Sequence, residues 1–386
     1  MFNAKRIALA VELKRYYLYN SALEQLTFIT MALTMGTTSG TISSISELLN
    51  LSNSRYCIYD IGRRVDKISK EQFERIESAH LPYPFPSQGH AFLAIAFWQK
   101  QVTTPYLWFI KLPLDERGLL NQGARNHFIA IIIEALGGDL SVNPTEQQEA
   151  LLKKNPYHFT PAQYKLAAIN SVISVQLKQP ASQFYQAAVK YLTGKNGWDA
   201  WQEIGVQGLS HVAFRLNESD NVDDHLKNNV EILSSAFKNL PTPVLTPLCS
   251  ALENIVLPTE IVTEIITRYQ QEAHDTELSL ALLRALASTT QHPYSNKFII
   301  ELINNKSLTQ DSLIIIAGRL WEILNNEQIL FQYLEQLIKD NDAELFNAIF
   351  KDLIAIPTIR PLLLQAIRSP NRSPALSKAI GELFKS

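Results

Sequence analysis

The chain has 386 residues, 46% of them hydrophobic and 19% charged. That composition buries a sizeable core and excludes wholesale disorder. Its 35 Lys and Arg nearly balance 37 Asp and Glu, for a formal net charge of −2, without the basic excess or stripe that duplex binding brings.

The N-terminal residues Lys5 and Arg6 precede the apolar run Ile7–Val11, but Glu12, Lys14 and Arg15 end it too soon for a signal peptide. Residues Lys5–Leu33 read as a helix. A translation start at Met31 or Met35 reads equally well, since Gly36–Gly40 leads into a new helix. Residues 1–36 are therefore set apart as an N-terminal extension. Ile42, Ile45, Leu48, Leu49 and Leu51 predict a short amphipathic helix capped by Ser43 or Ser44, with Glu47 in its first turn.

Three apolar segments then read as strands, namely Tyr56–Tyr59, Ala91–Trp98 and Tyr106–Ile110. The last two do not alternate, which predicts burial on both faces. Gly62 marks a turn after the first. Ser69 opens a helix, with Gln72 at capping-box spacing. The prolines of His80–His90 lack N–H donors, so that piece is extended and lies across the sheet with its aromatic rings packed on it. Gln99–Thr104 is short enough for a hairpin loop. A helix over Leu119–Leu136 ends at Gly137-Gly138.

Beyond Asn143 the pattern is helical throughout. Thr160-Pro161 starts one helix, Asn221–Asn239 forms another, and Thr242-Pro243 leads into a third. Further helices are predicted over Thr259–Glu272, Asp275–Ser288, Ser295–Asn304, Thr309–Leu324, Glu327–Lys339, Asp342–Ile354, Thr358–Ile367 and Ser373–Phe384. Helix pairs at a period of roughly 30–40 residues suggest stacked hairpins of the HEAT or armadillo kind, with an irregular bundle as the alternative. The predicted fold is an α+β domain with a small helix-covered sheet over residues 37–155, then a long all-α domain over residues 156–386.

Chemistry is sought at the strand ends. If the three strands are antiparallel in sequence order, the end of the first, the start of the second and the end of the third share one edge. That edge gathers Asp60, Arg63, Arg64, His90, Lys111, Asp115 and Arg117, a set able to bind a small anion or to serve acid–base work. A parallel crossover between the first two strands would disperse it. The competing reading is structural. Arg63 and Arg64 then form a salt-bridged turn with Asp60 and Asp66, and the rest is a solvated rim.

Other candidates point to structure. No two histidines stand at metal-ligand spacing, so no metal site is expected. Cys57, mid-strand, reads as a small apolar residue. With Cys249 far off in another apolar setting, a disulfide framework is excluded and a cytosolic compartment is expected. No phosphate loop, nucleophile elbow or dinucleotide fingerprint is present. No cofactor is expected. No run reaches the about 18 apolar residues of a membrane helix.

Three segments together, Asp60-Ile61-Gly62-Arg63-Arg64-Val65, Pro82–Pro86 and Phe109–Asp115, resemble a bacterial family defined only as a domain of unknown function. The resemblance runs from about Ser43 onward. It implies a bacterial cytosolic protein and carries no activity or catalytic residues. It leaves the first ~35 residues outside the family's usual start.

Helical arrays bind partners along an extended surface. The expected function is a non-enzymatic interaction or scaffold protein with a protein partner and no role for membrane, nucleic-acid binding being a third reading that rests only on Arg360, Arg368, Arg372, Lys378 and Lys385 near the C-terminus. The alternative is an enzyme or anion-binding protein working at the charged sheet edge.

Overall fold

The computed structural model describes residues 42–52, 54–98, 105–136, 154–195, 197–216, 228–272, 276–305, 308–339 and 342–383. The expected helix over residues 5–33, the extension 1–36, the loop 99–104, the stop at Gly137-Gly138 and residues 221–227 lie outside them, and the helix predicted from Asn221 begins only at Asn229, because Asn228 is extended and caps it. The chain divides into two compact units. One comprises the residues up to Gly62 together with Asp66–Pro161, and the other comprises Arg63–Val65 together with Ala162–Ser386.

The first unit is built on a four-stranded antiparallel sheet in the order β2-β1-β3-β4. Its strands are β1 (Arg55–Asp60), β2 (Asp66–Ile68), β3 (His90–Trp98) and β4 (Tyr106–Pro113). The sequence shows no strand where β2 forms, because three residues carry too little period to register as one. Strand β2 pairs Ile68 with Ile58 and Asp66 with Asp60. Strand β1 pairs β3 from Arg55↔Trp98 to Asp60↔Leu93, and β3 pairs β4 from His90↔Pro113 to Phe97↔Tyr106.

Helices α1 (Ile45–Leu51), α2 (Lys70–Glu77) and α3 (Gln122–Leu136) pack on this sheet. They bury Tyr56, Ile58, Leu93, Ile95, Trp108 and Ile110 beneath Leu48, Phe73 and Phe128. Tyr59, Ala94 and Phe109, in register on the opposite face, are buried too. Burial of both faces is what the unbroken apolar runs of β3 and β4 require.

Local chemistry sets the helix starts. Ser44 Oγ accepts the Glu47 N–H at 2.9 Å, and the Glu47 carboxylate accepts the Ser43 N–H at 2.7 Å. Ser69 caps α2 by accepting from Gln72 N at 3.1 Å. Helix α3 starts three residues later than expected, because Leu120 bridges to Leu114 and Asn121 Oδ1 caps Ala124 N. The turn Ser87–His90 into β3 has positive φ at Gln88 and Gly89 (49° and 71°), the tight hairpin geometry that glycine favours. The edge of β4 is covered where Lys111 N donates to Tyr157 O and Phe159 N to Phe109 O.

Among its described residues, the second unit is helical apart from Arg63–Val65 and connecting turns. Its helices are α4 (Gln163–Gln176), α5 (Gln183–Leu192), α6 (Val206–Phe214), α7 (Asn229–Phe237), α8 (Thr242–Leu252), α9 (Thr259–Gln271) and α10 (Thr276–Ala285). They continue with α11 (Pro293–Asn304), α12 (Gln310–Arg319), α13 (Glu327–Leu337), α14 (Ala343–Ala355), α15 (Arg360–Ala366) and α16 (Pro374–Leu383). Each packs on the helix two further along, giving one row of α4, α6, α8, α10, α12, α14 and α16 and a second of α5, α7, α9, α11, α13 and α15.

Two expectations are corrected. Helix α4 begins at Gln163 with Ala162 as its cap residue, not at Thr160-Pro161. The helix expected to be continuous over Thr309–Leu324 breaks at Leu320, where φ is −108° and ψ 20°, and resumes as the 3-10 turn Trp321–Leu324. Leu320 is fully buried, so an apolar anchor at the break is indistinguishable by period from one within a helix.

Candidate functional site

The antiparallel order brings the end of β1, the start of β3 and the end of β4 to one end of the sheet. Register then separates the residues gathered there. Asp60 follows Tyr56 and Ile58 at period two, so its side chain points into the helix-covered core. It is fully buried and accepts the Tyr83 hydroxyl at 2.5 Å. Burial foremost, and then the Asp60 charge, raises the Tyr83 pKa well above the usual phenol value, so Tyr83 stays a donor. His90 and Lys111 belong to the alternate pleat. The Lys111 Nζ lies 5.2 Å from the Phe92 ring centroid, His90 stacks beside the same ring at 6.2 Å, and His90 Nδ1 meets Gln88 O at 2.7 Å.

Asp115 and Arg117 form a local turn. Asp115 Oδ1 accepts the N–H groups of Arg117 and Leu119 at 2.9 and 2.8 Å. The Leu119 N–H leads in holding its carboxyl below the usual range, with smaller contributions from the Arg117 N–H and from the exposed Arg117 guanidinium 3.3 Å away. Gly62 has ordinary φ. It is small because a Cβ there would lie 3.3 Å from the Phe92 ring and from Ser87.

Arg63 and Arg64 belong with the helical unit. The sequence reading looks for their partners only within their own turn, at Asp60 and Asp66. The structure gives them ion pairs with Asp352 of α14 and Glu322 of the 3-10 turn, each at 2.8 Å. Arg63 Nη1 also donates to Ala317 O at 3.2 Å, and Arg64 Nη1 to Ala287 O at 2.5 Å. Both guanidiniums lie over the Trp321 ring, at 5.3 and 4.4 Å from its centroid. Ala317 and Asp352 stand in the last turns of α12 and α14, and Ala287 just beyond α10. Helix C-termini leave carbonyls unpaired and carry partial negative charge. The two arginines therefore sit where three successive members of one row present that charge.

The backbone of this segment is held as well. The Arg63 carbonyl accepts from Lys165 Nζ at 2.9 Å and from Arg319 Nη1, and the Val65 N–H donates to Asn254 Oδ1 at 2.8 Å. Beside it Glu253, capping α8 and fully buried, is the hub of a charge cluster. Arg284 donates to both its oxygens, and Lys165 and Arg319 stand 3.9 and 3.6 Å away. Burial alone would raise the Glu253 pKa. The Arg284 hydrogen bonds and the three cations outweigh it, so the carboxyl is held below its ordinary value.

Sequence reading missed Lys165, Glu253, Asn254, Arg284, Arg319, Trp321, Glu322 and Asp352. They fall at scattered points of the helical half of the chain, Glu253-Asn254 and Trp321-Glu322 as adjacent pairs and the others singly, and no local spacing links these points to one another or to Arg63-Arg64.

A cavity of about 440 Å³ lies by the N-terminus of α1, where the buried Glu77 carboxylate accepts the Ile45 and Ser46 N–H groups at 2.8 and 3.2 Å. Cys249 is fully buried, and its thiol pKa is pushed up to about 12 by that burial. His127 Nδ1 meets Tyr157 Oη at 3.0 Å. Among the described residues no group of three or more His, Cys, Asp or Glu is placed to hold a metal ion. None of the described helices is long and apolar enough to cross a membrane.

No curated protein and no solved structure matches the chain. The family described as "Protein of unknown function (DUF3549)" matches residues 40–384. That span takes in both units and every residue that seats Arg63–Val65, and the chain therefore belongs to the DUF3549 family.

Proposed function

We propose that this protein is a protein-interaction scaffold whose helical unit works as a solenoid-like receptor for a short peptide segment. The observation that carries the reading is the way this unit holds Arg63–Val65. A backbone carbonyl, a backbone N–H and two side chains of three consecutive residues are each met by groups on the helices or on the turns that follow them. Recognition of main chain and side chains together is how peptide segments are bound. Row packing supports the same reading, because helices stacked on their second neighbours present aligned ends along an extended surface.

The test is affinity capture from bacterial extract with the full chain and with a chain truncated after Pro161. A stoichiometric protein captured only when the helical unit is present supports the reading. Capture of nothing by the full chain, or of the same proteins by the truncated one, overturns it.

A further inference from the structure

We propose that the seat of Arg63 and Arg64 is a recognition site for paired arginines, filled here by the chain's own turn and open to an Arg-Arg segment of another protein when that turn is released. The proposal rests on the receptor reading above and names the partner's chemistry.

Three features select arginine. Arg64 meets both oxygens of Glu322, Nη2 at 2.8 Å and Nη1 at 3.2 Å, while Nη1 also reaches Ala287 O. That geometry needs the planar fork of a guanidinium, whereas a lysine ammonium is a single point charge. Arg63 divides its donors in the same manner between the Asp352 carboxylate and two carbonyls, Ala317 O and Asp352 O. Both guanidiniums lie over one ring, that of Trp321, the aromatic residue that binds cations best.

Two further features select an adjacent pair on a bent backbone. Trp321 and Glu322 are themselves adjacent, on the 3-10 turn created by the break at Leu320. Lys165, Arg319 and Asn254 fix the main chain on either side of Arg64. The second acidic wall, Asp352, comes from the next helix of the same row.

The cis turn holds the seat by high effective concentration. A partner segment competes only when that turn is withdrawn or removed. The probe is therefore a fluorescein-labelled peptide Ile-Gly-Arg-Arg-Val-Asp, titrated by anisotropy into three full-length proteins: wild type, R63A/R64A and R63A/R64A/E322Q/D352N. The expected result is saturable binding to R63A/R64A, at least tenfold weaker binding to wild type, and loss of binding in the quadruple variant. A Lys-Lys peptide is expected to bind at least tenfold more weakly than the Arg-Arg one.

Equal binding of both peptides, equal binding to all three proteins, or no binding to a folded R63A/R64A overturns the proposal. Where R63A/R64A does not fold, it is refolded with and without the peptide and followed by circular dichroism. Rescue by Arg-Arg but not by Lys-Lys supports the site, and no rescue overturns it. If the peptides fail while the full chain still captures a partner through its helical unit, only the arginine assignment falls.

Discussion

Arg64 and Glu322, 258 residues apart in sequence, meet in a two-pronged ion pair with nitrogen–oxygen distances of 2.8 and 3.2 Å. Arg64 is nearly fully buried and Glu322 is 36% exposed. The asymmetry decides what each loss costs. Deleting one partner of a fully buried pair costs about 3–5 kcal/mol. After Arg64→Ala, Glu322 is able to rehydrate, so the expected loss is nearer ~2 kcal/mol, the scale of a hydrogen bond to a charged group. Arg64→Lys keeps the charge but not the fork, and is expected to recover less than half of it. Thermal melts of the two variants check this. Full recovery by lysine would show that only charge matters there.

Glu253 carries the pH prediction with the clearest sign. Its carboxyl is held below the ordinary value of 4.5 by Arg284, Lys165 and Arg319 against the opposing effect of burial. A carboxyl with a depressed folded pKa adds stability at every pH above the unfolded value, and loses it as pH falls through the folded one. Glu253→Gln leaves three cations around a neutral group. It is expected to cost about 3–5 kcal/mol at pH 7, and much less once the pH falls below the folded value. Urea midpoints from neutral pH down into the acid range measure the difference, and a pH-independent cost would contradict it.

His211 gives a second pH test, in a higher window. Burial first, and the neighbouring Arg215 second, lower its pKa from 6.5 to about 4. Between those values the unfolded chain binds a proton that the folded chain does not, so stability falls as pH drops from 6.5 toward about 4. The shift corresponds to roughly 3 kcal/mol over the window. His211→Asn is expected to flatten that slope. An unchanged slope would place the acid sensitivity on other groups.

Tyr83→Phe removes the hydroxyl that the buried Asp60 accepts at 2.5 Å. The ring stays and the carboxylate loses a donor, so the expected cost is about 1–3 kcal/mol. Asp60→Ala in the Tyr83→Phe background is expected to cost less than it does in wild type, because the hydrogen bond between the two is already gone. A double-mutant cycle read by urea denaturation gives the coupling, and strict additivity would dissolve the pair.

Much of the first unit was legible because its signals are local. Ser44 and Ser69 cap the helices expected of them. The non-alternating runs of β3 and β4 are buried on both faces. The Pro-rich stretch lays Tyr83 into the core. What could not be read was which residues at the sheet end face one another. Pleat parity puts Asp60 on one face and Lys111 on the other, and parity follows from a pairing register that depends on the partner strand.

For the second unit, the 3.6-residue period placed the starts of the helices from α8 to α16 within two residues, since each must bury one apolar face, but left α5 and α6 unmarked. The chain alone also determined that a pair of arginines follows β1. Only the tertiary structure decided where they go. Their partners are helix ends and acids from α10 to α14, aligned by stacking of one row and by a break at Leu320. Neither alignment nor break has a local period, because both arise from how buried faces of distant helices fit together.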